Sequence, residues 1–208
     1  MSTTEKTITD RRDHVKWLAL AGIIGSALFA VSGVWEMVSP ATSASGNQIL
    51  DPVHFQIGSI MVALGYVGLL ATALAFYLDG ATGSGWLGKI AIGIMTVGVL
   101  AAFGDQINRI ITAQETQNAP WQIILFMSAV FIAPVLLGVA ALRGKVIPLW
   151  MALYPIVMVA VVPLALWMFG SIIGIGSDLV IFLQGLLWLG FALIVYTSGS
   201  VTTVAVPA

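Results

Sequence analysis

The chain has 208 residues, 59% of them hydrophobic and 8% charged, with a mean hydropathy of +1.03 and a formal net charge of −1. Soluble domains carry about 25% charged residues. So few charges cannot cover a water-soluble fold of this size, whereas lipid accepts an apolar exterior. With no cysteine, disulfides, thiol catalysis and thiolate-held zinc or iron–sulfur clusters are excluded, and the near-zero net charge gives no general pull toward nucleic acid.

Residues 1–14 are polar and lack apolar periodicity, and read as a flexible cytoplasmic tail. Residues 15–198 read as one transmembrane domain, an all-α bundle of six helices with the N-terminus and C-terminus both cytoplasmic. The expected spans are 16–38, 53–78, 86–110, 121–142, 147–169 and 179–196, each near the ~20 residues that cross a ~30 Å hydrocarbon core. Residues 199–208 form a short C-terminal tail. The first span is followed by the small residues Thr42, Ser43 and Ala44, which suit a signal-peptide cleavage site. Its apolar run, however, exceeds the ~7–15 residues of a signal peptide, and it is read as uncleaved.

Turn chemistry separates the spans. Residues 39–52 hold Pro40 and Pro52, residues 79–85 read DGATGSG, and 143–145 is a tight basic turn shortly before Pro148. The glycine-rich segment 170–178 ends in Asp178, which suits the positive end of a helix dipole. The opening triplets of spans two and four, Phe55-Gln56-Ile57 and Trp121-Gln122-Ile123, are too short to establish a duplicated hairpin.

Lys6, Arg11, Arg12, Lys16, Lys89, Arg143 and Lys145 fall on one side of this arrangement and only Arg109 on the other. That places the N-terminus inside. Tryptophans give an independent check, because Trp17, Trp86 and Trp150 mark the inner boundary and Trp35, Trp121 and Trp167 the outer one. Trp17 and Trp35 lie about 27 Å apart along a helix rising ~1.5 Å per residue. Trp188 alone sits in mid-membrane.

Polar residues inside lipid are costly and point to function by default. Here they form one layer in the outer third: Glu36, His54, Gln56, Asp105, Gln106, Arg109, Gln122 and Gln184. The expected ligand-binding set is Glu36, His54, Asp105, Arg109 and Gln184, lining a pocket open to the outside. Asp105 and Arg109 stand at i, i+4, acid before base, the better order for an ion pair on one helix face. They read either as a charge pair for a polar ligand or, more simply, as an interfacial ion pair with Arg109 snorkelling to the headgroups. Glu36, His54 and Asp105 lack ligand-like spacing, so no metal is expected. His54 can titrate near neutral pH. No catalytic residue and no cofactor is assigned.

No Asp, Glu, Lys, Arg or His falls at the midplane, which argues against a proton-driven pump. Ser26, Tyr66, Thr72, Thr96 and Ser128 are expected to hydrogen-bond within or between helices there. Pro134, Pro155 and Pro163 interrupt helix hydrogen bonding, either as hinges or, more simply, as packing features of transmembrane helices. Gly22 with Ser26 has small-residue packing spacing. No phosphate-binding glycine loop, nucleophile–His–acid set, HExxH motif or DNA-reading helix is present.

Residues 136–154 read LLGVAALRGKVIPLWMALY. The order Ala141, Leu142, Arg143, then Pro148 and Trp150 resembles a pattern of uncharacterised bacterial six-helix integral membrane proteins of the domain-of-unknown-function type. The resemblance implies a bacterial inner (plasma) membrane and no particular activity. The leading expectation is an accessory or sensory membrane subunit, partnered by the lipid bilayer and by another protein or a second copy of the chain, not by nucleic acid. A small-molecule transporter or permease comes second. An enzyme acting on lipid or quinone at the outer leaflet through Glu36, His54 and Asp105 comes third.

Overall fold

The computed structural model describes the backbone of residues 3–38, 49–114, 119–173 and 177–198, and side chains at 12–38, 49–114, 119–164 and 178–198. Residues 42–44, the tail 199–208 and the Trp167 side chain lie outside the described residues. Among the described residues six helices follow in order: α1 (Thr3–Val38), α2 (Pro52–Leu78), α3 (Trp86–Thr112), α4 (Pro120–Gly144), α5 (Leu149–Ile173) and α6 (Ser177–Ser198).

The helix ends follow from local chemistry. Asp51 caps α2 by accepting the Val53 and His54 amides at 3.0 Å, and Pro52 opens the helix, where its missing N–H is harmless. Gly80 and Gly83 turn the chain at φ +84° and +65° before α3, conformations that glycine adopts without strain. Helix α3 ends on a left-handed Ala113, and α4 on a left-handed Lys145. At the start of α4 the Gln122 side chain accepts the Ala119 amide at 2.9 Å, and Pro120 is the first helical residue.

Helix α1 begins at Thr3, well before the apolar span. The run from Thr3 to Asp13 contains neither proline nor glycine, so nothing stops the helix as it leaves the apolar span. Hydropathy marks what lipid accepts, not where a helix stops.

Helix α4 carries a π turn at Ser128–Ile132, where the Ala133 amide reaches back to the Ser128 carbonyl. Pro134 follows directly. Its ring would strike a carbonyl in a regular α-helix and it brings no N–H, and the widened turn relieves both problems. Pro155 lies inside α5, which runs unbroken through it and through Pro163. Pro134 and Pro155 are fully buried, whereas Pro163 is exposed.

Among the described residues five stretches are long and apolar enough to cross a membrane: Arg12–Val38, Pro52–Leu78, Trp86–Thr112, Pro120–Gly144 and Asp178–Ser198. In α5 the fully described apolar part is Leu149–Leu164. Large apolar side chains such as Ile24, Leu64, Leu100, Ile124 and Leu193 face outward, as a lipid-facing exterior requires.

The helices close a ring in chain order, with α1 packed along both α2 and α6. Helix α2 also touches α4 and α6, and so lies deepest. Close approach is made by glycine. A Cβ on Gly25 would sit 2.5 Å from the Gly68 Cα, and one on Gly33 would sit 2.6 Å from the Phe182 amide nitrogen. Phe29, Leu69, Met95, Trp188 and Phe191 fill the centre, and the Tyr154 hydroxyl donates to the Leu187 carbonyl at 2.9 Å, joining α5 to α6.

Three of the five midplane hydroxyls bond within their own helices. Thr72, Thr96 and Ser128 donate to carbonyls four residues back at 2.8–3.0 Å. The Ser26 hydroxyl is fully buried and has no hydrogen-bond partner, contrary to expectation. It sits on α1 beside the Gly25–Gly68 crossing. Tyr66 differs also, as its surroundings show.

Candidate functional site

A cavity of about 530 Å³ opens at the end of the bundle where α1 and α3 finish and α2, α4 and α6 begin. Helical periodicity builds its walls. On α2 the residues are Phe55, Gly58, Ser59, Val62 and Tyr66, which share one helix face. On α3 they are Ala101, Ala102, Asp105, Gln106 and Arg109, and on α4 Gln122, Ile123, Phe126 and Met127. Helix α1 adds Ser32 and Glu36, and α6 adds Asp178 and Ile181.

The i, i+4 spacing on α3 produces the ion pair it suggests. Arg109 Nε donates to Asp105 Oδ2 at 2.9 Å, with the carboxylate side chain 9% exposed and the guanidinium 20%. A pair this sheltered is screened less by salt than one on an open surface. The guanidinium retains further N–H donors to offer into the cavity.

Glu36 enters from α1 across the face of α2. A Cβ on Gly58 would lie 2.7 Å from Glu36 Oε1, so the missing side chain at Gly58 makes room for the carboxylate. The Ser32 hydroxyl is held by the Phe29 carbonyl at 2.7 Å. Gln56 stands beside the cavity and ties α2 to α3, its Nε2 donating to the Ile110 carbonyl at 2.8 Å.

Deeper in, the wall changes character. Tyr66, Gln106 and Ser59 are each more than nine-tenths buried and face the cavity, and none has a side-chain hydrogen bond to another described residue. The Tyr66 ring lies between Phe29 and Phe126, with centroids 5.5 and 5.1 Å away. Tyr66 therefore forms part of the cavity wall in place of the hydrogen bond within or between helices expected of it.

Of the five residues expected to bind a ligand, the structure brings Glu36, Asp105 and Arg109 to this cavity. His54 and Gln184 are elsewhere. The His54 ring stacks on Trp35, centroids 4.4 Å apart and planes 14° off parallel. Its Nε2 and the Trp35 Nε1 are buried without partners. Gln184 is buried in a narrow crevice with Phe131, Met158, Val162 and Trp188. It follows Asp178 by six residues, which turns it about 120° around α6. Glu36, His54 and Asp105 do not form a metal site: among the described residues no three His, Cys, Asp or Glu side chains are grouped to hold an ion.

Sequence reasoning missed Asp178, Ser59, Tyr66 and the aromatic wall. Asp178 reads as a helix-start residue and Tyr66 as a packing hydroxyl. The usable signal was the face shared by Phe55, Ser59, Val62 and Tyr66 on α2, which carries the polar layer inward.

Comparison with protein-family models, with curated proteins and with solved structures returned no match. The reading of function rests on the cavity itself.

Proposed function

We propose that the protein is a six-span protein of the bacterial inner (plasma) membrane whose cavity opens outward and binds a small molecule. It acts as an accessory or sensory subunit, without catalysing a reaction. One observation carries this reading: Glu36, Asp105 and Arg109, from two different helices, meet at a single cavity of about 530 Å³. That volume lies within the ~300–1,000 Å³ of small-molecule sites, which combine apolar walls with a few placed polar groups. Seven basic residues at the opposite end, against Arg109 at this one, support cytoplasmic termini. The 25 residues of α5 supply the length for a sixth crossing, and residues 136–154 support a bacterial source through their resemblance.

A second reading, a passive small-molecule permease, draws on the π turn at Ser128–Ile132, directly beyond the wall residues Phe126 and Met127. π turns interrupt helices most often at functional positions. The enzyme reading draws no support from the cavity, since His54 is turned onto Trp35.

The test uses the purified full chain in lipid nanodiscs, screened by thermal shift against a library of polar small molecules. Stabilisation by a ligand is expected, and Arg109→Gln should weaken it. If no compound stabilises the wild type, or Arg109→Gln leaves every hit unchanged, the ligand-site reading fails. Flux of a hit through proteoliposomes would select the permease.

A further inference from the structure

The charged side chains at the cavity are already engaged. Arg109 pairs with Asp105 at 2.9 Å, and Glu36 and Asp178 have interactions of their own. The neutral polar groups of the wall divide into two sets. Ser32 and Gln122 are spent on backbone: the Ser32 hydroxyl donates to the Phe29 carbonyl at 2.7 Å, and the Gln122 side-chain oxygen accepts the Ala119 amide at 2.9 Å. Ser59, Tyr66 and Gln106 are not. Each is more than nine-tenths buried and faces the cavity, and none has a side-chain hydrogen bond to another described residue. Buried polar groups are nearly always hydrogen-bonded, so these three are set to bond to whatever fills the space.

The unanswered groups lie inward of the charged ones. Glu36 and Arg109 stand in the last turns of α1 and α3, and Asp178 in the first turn of α6. Tyr66 stands about 21 Å of helix inward from Pro52, at ~1.5 Å per residue. The Gln56 side chain, donating to the Ile110 carbonyl at 2.8 Å, sets α2 and α3 in register. Cα–Cβ bonds tilt toward the N-terminus of a helix, and these two helices run in opposite directions. Tyr66 therefore leans toward the mouth and Gln106 away from it, into the same layer. Apolar surface surrounds that layer. Val62, Ala102, Ile123 and Phe126 line the cavity, and the Phe126 ring centroid is 5.1 Å from that of Tyr66. Water alone would satisfy the polar groups and leave the apolar walls wet, whereas a ligand with an apolar body answers both.

Resting on the reading of the cavity as a ligand site, we infer that its ligand is an uncharged ring molecule whose carbonyl group enters first. The carbonyl oxygen has two lone pairs and accepts from the Tyr66 hydroxyl and the Gln106 amide, each of which has a hydrogen to donate. A carbonyl takes both without bringing a hydrogen that needs a partner of its own. The ring lies against Val62 and Phe126, where packing on an aromatic face is favourable. Ser59, two turns nearer the mouth on the same face of α2, meets the trailing end of the molecule. A charged head is the wrong group for this layer. It would give up its water where the groups that receive it are neutral, and desolvating an unpaired charge costs far more than desolvating a carbonyl.

The experiment uses the full chain in nanodiscs of zwitterionic lipid, with empty nanodiscs subtracted, and four probes of similar size: the ketone acetophenone, its hydrocarbon isostere isopropylbenzene, the anion benzoate and the cation benzylammonium. Binding is read by calorimetry, and the carbonyl stretch of isotope-labelled acetophenone by infrared spectroscopy. In the wild type, acetophenone is expected to bind tighter than either charged probe, with its carbonyl stretch at lower frequency than in lipid alone. Tyr66→Phe removes one oxygen and keeps the ring, and Gln106→Leu removes the amide and keeps most of the volume. Each is expected to weaken acetophenone about fivefold, the worth of one hydrogen bond, and to leave isopropylbenzene unweakened. The wild-type measurements need no variant to fold. If either charged probe binds best, if the stretch of bound acetophenone matches that in lipid, or if both neutral probes respond alike to the variants, the carbonyl inference is overturned while the ligand site stands. The same holds if only charged compounds of the wider library bind. If neither these probes nor any compound in that library binds, water alone fills the cavity and the ligand-site reading falls with it.

Discussion

Gly58 and Ser26 show how single atoms shape this bundle. At Gly58 the absent side chain is filled by the Glu36 carboxylate. The group that a new methyl would displace is the far end of a flexible side chain. Gly58→Ala is therefore expected to change stability by less than about 1 kcal/mol, in line with a helical glycine-to-alanine exchange, while pushing Glu36 aside. Thermal unfolding in detergent should move little, and ligand affinity in the same preparation should fall. Equal loss of both would show that Gly58 serves packing alone. Ser26 presents the opposite case. Its hydroxyl is buried at 0% exposure without a partner, and such a group carries an uncompensated desolvation cost of about 1–3 kcal/mol. Ser26→Ala removes the oxygen and keeps the Cβ packing. The variant is expected to melt higher than the wild type, and a lower midpoint would mean that the hydroxyl is satisfied in the membrane.

At the scale of helices, the contacts that fix rotation are glycine contacts, and they explain what the sequence could and could not tell. Helix ends were written locally: Asp51 before Pro52, the DGATGSG turn, and Ala119 before Pro120. The expected span 86–110 accordingly agrees with Trp86–Thr112, and 121–142 with Pro120–Gly144. The pairing of Asp105 with Arg109 was legible because it lies within one helix. The fate of Gln184 was not. Its direction is set by Gly185 packing against Ala30 and by Gly33 packing against Phe182, contacts between α1 and α6 that leave no mark in local spacing. The role of Tyr66 was hidden for the same reason, since depth along α2 says nothing about which neighbour the ring meets. These close approaches have a direct consequence. At Gly25 a Cβ would meet the Gly68 Cα at 2.5 Å and the Leu64 carbonyl at 2.8 Å, and backbone cannot step aside as a glutamate tip can. Gly25→Val is expected to separate α1 from α2 and destabilise the chain by about 2 kcal/mol or more, within the range for overpacked cores. Guanidinium-free thermal melts of Gly25→Val and Gly58→Ala, run side by side, would check the contrast. Similar midpoints would refute the account of the α1–α2 crossing.

At the scale of the whole molecule, the two ends differ in charge, and the difference decides which compartment supplies a ligand. Glu36, Asp105, Asp178 and Arg109 surround the cavity at one end. At the other, Arg143 lines a separate cavity of about 440 Å³ together with the turn residues Thr82 to Trp86. If the basic end faces the cytoplasm, as proposed from the distribution of lysine and arginine, the cavity samples the outside. The absence of cysteine makes this testable without altering a background residue. Ser84 and Gln114 are both exposed and sit at opposite ends of α3. In intact cells, a membrane-impermeant maleimide is expected to label Gln114→Cys at once and Ser84→Cys only after permeabilisation. The reverse pattern would turn the cavity toward the cytoplasm. A ligand would then have to come from the cell's own pool, and a role in sensing the exterior would be lost even if every contact in the cavity stood as described.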